Sequence, residues 1–573
     1  MKIGNWKLSI GKCKSALSPK GSAKLFYILH FTLFILQFPN LARAQTGNCE
    51  PALGEAILDA GNVRAKILNN GGLFWRGGAS VYEVPKGSGV NPVFAAGIWI
   101  AGLIDGELRG AATRYGAWEF WAGPLDEEGN PPVFCKSYDK IWEIRKEDIS
   151  SFLAAGHISN NLKNWPWYLG APVVDGDGDP DNYNLAQGDL PELLGDQRLW
   201  WIMNDRGNTH EATDSKPIGL EVHASAHVFN IPGFISNVTF YDYQLINKNT
   251  NDLTDAYFAF FNDIDVGNSD DDYVGSDSLL HLGYAYNADN YDEGGYDEAP
   301  PAIGVTFLKT ALAPIDGLDN DRDGAIDEQE EMIGVSGFAH FFSGGRVNGD
   351  PQALKDYYGY MQSQWKTGQP FTLGGVGIEF STQSTKFIFP GDPVTGQGWS
   401  EFNPDPFAGS LPPTYPSDRR TATSTGPFTI TSGDTLHIRF AIVWSRGNNN
   451  LDSVTALKRD VGTLKISPEA YYQPQAIEEV ITSDHTLLLS FGPNFPNPFI
   501  ESTTFRYSLQ QSMKVRLTVY DMLGREVEVL VDQQQEAGIY TVNFEAGALP
   551  SGIYMARIEL DHLRFTKRMV LAR

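Results

Sequence analysis

The feature that most restricts the fold of this chain is a repeated pattern of short runs in which apolar and polar residues alternate. Gly, Asn and Asp bound most of these runs, and long stretches with helical periodicity are nearly absent. A period of two places the apolar side chains on one face of a strand, and the bounding residues favour chain reversal. The pattern predicts a mainly β protein built from multi-domain antiparallel β-sandwiches with few short helices.

Individual runs give strand predictions. Residues 98–113 predict a hairpin over Asp105-Gly106, because an Asp-Gly pair tolerates the positive φ angles of a type I′ turn. A second hairpin is predicted for residues 428–445. The runs predicted as consecutive antiparallel strands are 219–229, 236–247 and 255–265.

Three short segments are predicted to be helical. The first covers residues 147–155. The second starts with Asp350 as N-cap and Pro351 at the first helical position, and runs to about residue 365. The third covers residues 452–464 and places apolar side chains on one stripe at Val454, Leu457 and Val461.

Residues 1–44 have the composition of a signal peptide. They hold seven basic residues and no acidic one, followed by an apolar run at 25–38 and the small-residue pattern Ala42-Arg43-Ala44. The apolar run is shorter than the roughly 20 residues that a membrane-spanning helix needs. Removal of this segment leaves Cys49 and Cys135, which predict one disulfide in an oxidising compartment.

The charge balance excludes two classes of partner. The formal net charge is −26, and loss of the seven basic residues of the leader makes it −33. Such a chain repels nucleic acid and anionic membrane surfaces, and it attracts divalent cations. With no further long apolar segment, we expect no membrane insertion after signal removal.

Residues 319–330, DNDRDGAIDEQE, have the ligand spacing of a twelve-residue calcium loop. The predicted calcium ligands are the side chains of Asp319, Asp321, Asp323, Asp327 and Glu330, with the backbone carbonyl of Ala325. Pro314 opposes an incoming helix and Gly334 leaves little room for an outgoing one, so a sensor of the EF-hand type is disfavoured. A lone structural calcium site outside the cell fits better, where affinities of about 10⁻⁴ to 10⁻³ M suffice.

Two further acidic runs offer oxygen ligands for calcium. The run DGDGDPD places carboxylates at every second position, at Asp175, Asp177, Asp179 and Asp181. A run farther along offers Asp263 and Asp265, with Asp271, Asp272 and Asp277 as additional carboxylates that could converge at a strand end. Solvated acidic turns are the alternative for every one of these runs.

Catalytic patterns in the sequence are weak. They leave enzymatic activity an open question, and the absence of known motifs disfavours it. The chain contains no GxSxG, HExxH or GxxxxGK[ST] sequence. A pair of carboxylates for glycoside hydrolysis need not be close in sequence and stays open. The tryptophans at 165, 167, 200 and 201 could stack on sugars, although core packing is the more frequent role of Trp in β-rich proteins.

The C-terminal 83 residues, 491–573, predict an immunoglobulin-like sandwich of six or seven short strands. They contain PNFPNPF (493–499), TTFRYSL (503–509), VRLTVYDMLGREV (515–527), LPSGIY (549–554) and KRMVL (567–571). In these segments and their order the domain resembles the C-terminal sorting domain of the type IX secretion system of Bacteroidota. The resemblance implies Sec export to the periplasm and passage across the outer membrane, with the secretion machinery as partner of residues 491–573.

The predicted organisation is therefore a signal peptide at 1–44, a β-rich passenger at 45–467, a linker at 468–490 and the sorting domain at 491–573. The passenger is expected to be a calcium-stabilised structural or adhesive protein, secreted or at the cell surface, with self-assembly or a surface glycan as possible partners. The alternative is a secreted hydrolase or carbohydrate-binding protein that acts on polysaccharide.

Overall fold

The computed structural model describes residues 47–322, 326, 331–407, 411–466, 468–472, 489–491, 494, 499, 501–509, 512–521, 525–547, 549–560 and 563–571. All of them lie in the second of two compact units, Ala44–Arg573. The predicted signal peptide lies outside the described residues. The same holds for seven residues of the predicted calcium loop 319–330, among them the predicted ligands Asp323, Ala325, Asp327 and Glu330.

The passenger is built mainly from strands. In chain order they are β1 (Glu55–Leu58), β2 (Arg64–Leu68), β3 (Gly72–Leu73), β4 (Trp75–Arg76), β5 (Ala79–Ser80), β6 (Tyr82–Glu83), β7 (Val93–Ile104), β8 (Glu107–Ala112), β9 (Trp121–Ala122), β10 (Trp142–Arg145), β11 (Val173–Val174), β12 (Leu190–Pro191), β13 (Gln197–Asn204), β14 (Leu220–Val228), β15 (Val238–Asn247), β16 (Leu253–Ile264), β17 (Asp272–Asp277), β18 (Leu282–Asn287), β19 (Tyr291–Asp292), β20 (Asp297–Glu298), β21 (Ala302–Lys309), β22 (Gly337–Phe341), β23 (Arg419–Ile430) and β24 (Thr435–Ser445).

Two nine-stranded antiparallel sheets form the body of the passenger. The first has the order β1-β2-β3-β7-β16-β23-β22, with β6 on β2 and β8 on β7. The second has the order β10-β13-β14-β15-β24-β21-β18-β17, with β9 on β13. The predicted β-sandwich class is confirmed.

An aromatic core lies between these two sheets. The ring of Phe260 in β16 lies 4.6 Å from that of Phe440 in β24, and Phe258 lies 6.0 Å from Phe307 in β21. Tyr241 stacks on Phe440 at 5.0 Å. Large aromatic side chains bury much apolar area per residue, so these rings contribute strongly to the stability of the sandwich.

The strand pairing differs from the sequence prediction in two places. The 98–113 hairpin is present as β7 and β8, and its turn residues Asp105 and Gly106 have φ angles of 52° and 75°. However, β16 pairs with β7 and β23 rather than with β15, and β23 and β24 lie in different sheets. The predicted 428–445 hairpin is therefore wrong: the chain crosses the sandwich there, because each long strand pairs along its length with remote partners.

Helices pack around the sandwich. They are α1 (Lys146–Ala155), α2 (Asn160–Lys163), α3 (Leu354–Met361) and α4 (Asn450–Ile466). The predicted stripe of α4 is buried against the second sheet. The predicted start of α3 is wrong: its N-cap is Ala353, because Asp350 is paired with Arg114 at 2.5 Å and also accepts the Gly344 amide.

A small region between β9 and β13 has its own apolar core. We call residues 140–193 the aromatic subdomain. It contains α1 and α2, and its core residues include Trp142, Leu162 and Trp165, which pack against Trp200 of β13.

The passenger continues into the segment predicted as linker. Tyr471 and Tyr472, in the short 3₁₀ turn Pro468–Tyr472, are buried against the second sheet. The hydroxyl of Tyr472 donates to the carbonyl of Tyr241 at 3.0 Å. Packed structure therefore extends through Tyr472, beyond the predicted boundary at 467.

The C-terminal domain is a seven-stranded sandwich with a separate core. Its strands are β25 (Leu489–Phe491), β26 (Ser502–Leu509), β27 (Met513–Asp521), β28 (Glu526–Gln535), β29 (Gly538–Glu545), β30 (Gly552–Leu560) and β31 (Leu563–Leu571). They form one sheet of order β25-β26-β29 and one of order β28-β27-β30-β31. Val515, Leu517 and Val519 share the buried face of β27.

Cys49 and Cys135 form the predicted disulfide, with their Cα atoms 5.4 Å apart. Both cysteines are buried next to Trp121, so the bond ties the start of the described chain to the second sheet. Among the described residues, none of the helices combines the length and the apolarity that crossing a bilayer requires.

Candidate metal centres

Three groups of carboxylates bring their oxygen atoms within 4.8 Å of one another. We name them the acidic centre (Asp263, Asp265 and Asp418), the Glu331 centre (Asp319, Asp321 and Glu331) and the Asp189 centre (Asp175, Asp177 and Asp189). Each group joins two carboxylates from a predicted calcium run to a third carboxylate that the run does not include.

The acidic centre forms because of the register of two neighbouring strands. β16 ends at Ile264 and β23 begins at Arg419, and these two residues are paired in the antiparallel ladder. The residues that continue beyond this pair, Asp265 and Asp418, are therefore brought together at the edge of the sheet. Asp263 is paired with Arg420 one step inside.

Few positive groups face these carboxylates. The Arg420 guanidinium lies 3.4 Å from Asp263 Oδ1 and 3.1 Å from Asp418 Oδ2. Tyr115 donates its hydroxyl to Asp263 Oδ2 at 2.7 Å. The nearby Asp350 is paired with Arg114, so that arginine does not neutralise the centre.

Burial and like charge shift the titration of this centre. Burial raises the pKa of Asp263 to about 6, although Arg420 acts against the shift. Burial, and then the charges of Asp263 and Asp418, raise the pKa of Asp265 to about 7. Neither Asp263 Oδ1 nor Asp418 Oδ1 accepts a hydrogen bond within the described part of the chain. The site therefore holds more negative charge than its surroundings compensate.

The other carboxylates of the 263–277 run separate into different places. Asp272 is fully buried, accepts the Val266 amide at 2.9 Å, and has a pKa raised well above its usual value by burial. Burial, with the neighbouring Glu293, also raises the pKa of Asp271 to about 7. Asp277 lies at the far end of β17, where it pairs with Lys458 at 3.2 Å. The run does not converge as a whole.

The Glu331 centre lies within the predicted calcium loop. Glu331 is 5% exposed, its Oε1 accepts the amide of Asn320, and its Oε2 accepts no hydrogen bond within the described residues. The backbone carbonyl of Asp321 is hydrogen-bonded to His281 Nε2 at 2.7 Å. Glu331 follows directly after the position predicted for the bidentate glutamate.

The Asp189 centre is organised by short backbone contacts. Asp175 Oδ1 accepts the amides of Asp177 and Gly178 at 3.1 and 2.6 Å. Asp189 is buried and accepts the amides of Gly176 and Asn184 at 2.9 and 2.6 Å. The remaining members of the predicted run, Asp179 and Asp181, lie outside the group.

Sequence reasoning missed Asp418, Asp189 and Glu331. Asp418 is remote in sequence and is placed only by strand pairing, so local spacing could not reveal it. Asp189 lies twelve residues after Asp177 and follows a glycine, as loop ligands often do, which is a weak signal. Glu331 stands beside the predicted Glu330 and was excluded only by the strict twelve-residue count.

Most of the tryptophans considered for sugar binding are core residues. Trp165, Trp200 and Trp201 are each 1% exposed. Trp167 is half-buried, and its neighbour Tyr168 is 65% exposed. Of these four tryptophans, Trp167 alone is partly exposed, and with Tyr168 it presents aromatic surface to a ligand.

The described fold is a β-rich passenger sandwich followed by a separate C-terminal sandwich. Residues 494–572 match the family described as secretion system C-terminal sorting domain. The C-terminal domain is thus a type IX sorting domain, and it indicates export to the cell surface or the extracellular space.

No curated protein matches the chain. Among solved structures, a polysaccharide lyase aligns with 62% of this chain and 34% of its own length, at 7% identity and a TM-score of 0.19. The aligned part is about a third of that lyase, and a likeness of this size carries no argument about activity.

Proposed function

We propose that the passenger is a calcium-stabilised structural or adhesive protein that works at the cell surface or in the surrounding medium. The acidic centre carries this proposal. Three carboxylates face one guanidinium there, and two of them have pKa values of about 6 and 7. Two negative charges remain when all three are ionised, and one divalent cation balances them.

Calcium fits the donor chemistry best. The three centres offer carboxylate oxygens, which are the ligands that hard cations prefer, and they contain no histidine or cysteine. Calcium accepts irregular geometry with six to eight oxygens, so water and backbone carbonyls can complete its shell. The ion would supply positive charge and hold the carboxylates in their ionised form.

A structural role follows from the positions of the ligands. An ion in the acidic centre would join the end of β16 to the segment that precedes β23, across more than 150 residues of sequence. An ion in the Asp189 centre would close the loop of the aromatic subdomain. Each would act as a crosslink that favours the native state, because the unfolded chain does not bring these groups together.

We propose that the sorting domain acts as an address and contributes nothing to the passenger's own role. Its core is separate from that of the passenger, which favours independent folding. Deletion of residues 491–573 should leave a folded passenger in the periplasm, and fusion of these residues to another exported protein should carry that protein to the surface. Normal surface levels of the truncated chain would contradict this role.

A carbohydrate-binding role is the second candidate, and one observation favours it. The aromatic subdomain has an open cavity beside Trp167 and Tyr168. A hydrolytic role has less support there, because the single carboxylate in that cavity, Glu143, is engaged by Arg145 at 2.5 Å and by Gln197 at 2.6 Å.

The calcium proposal is tested by thermal unfolding of the chain from Ala44 onward, in EGTA and in millimolar calcium. We expect calcium to raise the melting temperature, and we expect a variant with Asp265→Asn and Asp418→Asn to lose part of that increase. The matched control is Asp179→Asn with Asp181→Asn, which removes the same charge from an exposed loop of the aromatic subdomain. Identical melting of the parent protein in both buffers would overturn the proposal.

A further inference from the structure

A cavity of about 480 Å³ opens on the surface of the aromatic subdomain. Its volume lies in the range of about 300 to 1,000 Å³ that is usual for small-molecule sites. Its lining combines aromatic rings with polar and charged side chains: Lys140, Ile141, Trp142, Glu143, Asn160, Asn161, Lys163, Asn164, Trp165, Trp167 and Tyr168.

The aromatic residues of this cavity fall into two groups. Trp142 and Trp165 are buried and form part of the subdomain core, and the indole N–H of Trp165 donates to the carbonyl of Pro172 at 3.0 Å. Trp167 and Tyr168 stand at the mouth with their ring centres 6.4 Å apart and their planes nearly perpendicular. A large ring with most of its surface in water gains free energy when an apolar ligand face covers it.

Polar side chains at the mouth can both donate and accept hydrogen bonds. Asn160, Asn161 and Asn164 each carry an amide group with two N–H donors and one carbonyl oxygen. Asn164 uses one donor for the carbonyl of Asn160 at 2.8 Å, and Asn161 uses one for Asp148 at 3.0 Å. The remaining capacity suits a ligand with several hydroxyl groups.

Two lysines stand at the mouth of the cavity. Lys140 and Lys163 are exposed, and neither is paired with a carboxylate of the described residues. Lys140 Nζ lies 4.5 Å from the centre of the Trp142 ring. Glu143 is held by Arg145, which also pairs with Asp59 at 2.6 Å, so among the described residues the mouth presents two unpaired ammonium groups in a chain of net charge −26.

We propose that this cavity binds a saccharide that bears a carboxylate, as in a polysaccharide of uronic acids. Tyr168 covers the apolar face of a pyranose ring and Trp167 contacts the edge of that ring, the asparagines meet its hydroxyls, and the two lysines meet its carboxylate. The proposal rests on the proposed adhesive role at the cell surface, for which it names the partner. It does not depend on any of the calcium centres.

The test is calorimetric titration of the chain from Ala44 onward with a galacturonate hexasaccharide, with cellohexaose as the neutral probe. Excess EGTA in one series removes calcium bridges between protein and uronate. We expect the acidic probe to bind in EGTA and the neutral probe to bind at least tenfold more weakly. Equal binding of both probes, or no binding of the acidic one, would overturn the proposal.

Matched variants locate the site. Tyr168→Ala truncates an exposed ring and should weaken binding about tenfold, in the range of alanine substitutions at binding hot spots. Lys163→Gln should weaken the acidic probe only. Tyr415→Ala and Lys386→Gln remove an exposed ring and an exposed ammonium group elsewhere and should change nothing. Unchanged binding in both Tyr168→Ala and Lys163→Gln would overturn the assignment to this cavity.

The calcium proposal and the saccharide proposal can be contradicted independently of each other. Calcium stabilisation is measured by melting without saccharide, and Tyr168→Ala should leave that shift intact. Saccharide binding is measured in EGTA, where the calcium centres are empty. A protein that binds the acidic probe but shows no calcium shift would refute only the calcium proposal.

Discussion

Two regions of the passenger bury carboxylates in opposite ways. Asp205, just after β13, is fully buried, and its oxygens accept the amides of Ile218, Gly219 and Leu220 at 2.5 to 3.0 Å. In the acidic centre, Asp263 is nearly as buried, yet one of its oxygens has no hydrogen-bond donor in the described structure. Burial alone therefore does not indicate a ligand site. The supply of donors distinguishes a structural carboxylate from a candidate ligand.

The largest effect is expected at Asp205. Asp205→Ala leaves three backbone N–H groups without their acceptor, and each unsatisfied buried donor costs about 1–3 kcal/mol. We expect a loss of at least about 3 kcal/mol in the free energy of unfolding. Denaturant unfolding in calcium and in EGTA should give the same loss, and a loss confined to calcium would show that Asp205 is part of an ion site.

Calcium removal should have the next largest effect. At millimolar calcium and dissociation constants of about 10⁻⁴ to 10⁻³ M, each bound ion stabilises the native state by about 0.5–1.5 kcal/mol. Three ions would give several degrees of melting temperature. Differential scanning calorimetry over a calcium series measures this shift, and magnesium at the same concentration is the control for ionic strength.

Asp265→Asn should change the free energy of unfolding in opposite directions in EGTA and in calcium. In EGTA at pH 8 the substitution removes a repelled negative charge, so we expect a gain on the order of 1 kcal/mol. In calcium the variant loses a ligand, so it should be less stable than the parent protein. A loss of stability in EGTA as well would mean that the centre is not short of positive charge.

The pH dependence follows from the same two carboxylates. Their pKa values are raised from 3.8 to about 6 and 7, so the native state binds protons more tightly than the unfolded chain. Their contribution to stability is present near pH 4 and is lost as the pH rises through 6 and 7. This contribution is measured by comparing the parent protein with a variant that carries Asp263→Asn and Asp265→Asn. The quantity compared is the melting temperature in EGTA from pH 5 to 8. Bound calcium should reduce the dependence of the melting temperature on pH.

The smallest effect is expected at Asp179 and Asp181. Both were predicted as ligands from alternate spacing, but the structure gathers only Asp175 and Asp177 around Asp189. Replacing both with asparagine should change stability by no more than about 0.5 kcal/mol, as for most surface substitutions. A clear decrease in the rise of melting temperature that calcium causes would show that Asp179 and Asp181 are ligands.

The sequence predicted local features well and remote pairings poorly. Strands β26 to β31 follow directly from alternation and turn residues, because each pairs within about 45 residues of its neighbour in the sheet. The Asp105-Gly106 turn and the stripe of α4 are equally local. In contrast, the chain passes from one sheet to the other between β23 and β24. This crossing depends on which distant strands pair with each of the two, and no local sequence pattern indicates that pairing.

The same division applies to the candidate site. Asp263 and Asp265 could be selected because alternate carboxylates stand out in the sequence. Asp418 could not, since only the pairing of Ile264 with Arg419 brings it to them. The compensating arginine, Arg420, was missed for the same reason, and with it the charge balance that makes the centre a candidate ion site.

The most direct test of this account is a crystal structure of the secreted chain grown in calcium, with anomalous diffraction data collected at long wavelength. The account predicts an anomalous peak among the carboxylates of Asp263, Asp265 and Asp418, with oxygen distances of about 2.3–2.6 Å. The contradicting result is a well-ordered acidic centre with no peak, in which Asp263 and Asp265 are near enough to share protons and hydrogen bonds with each other.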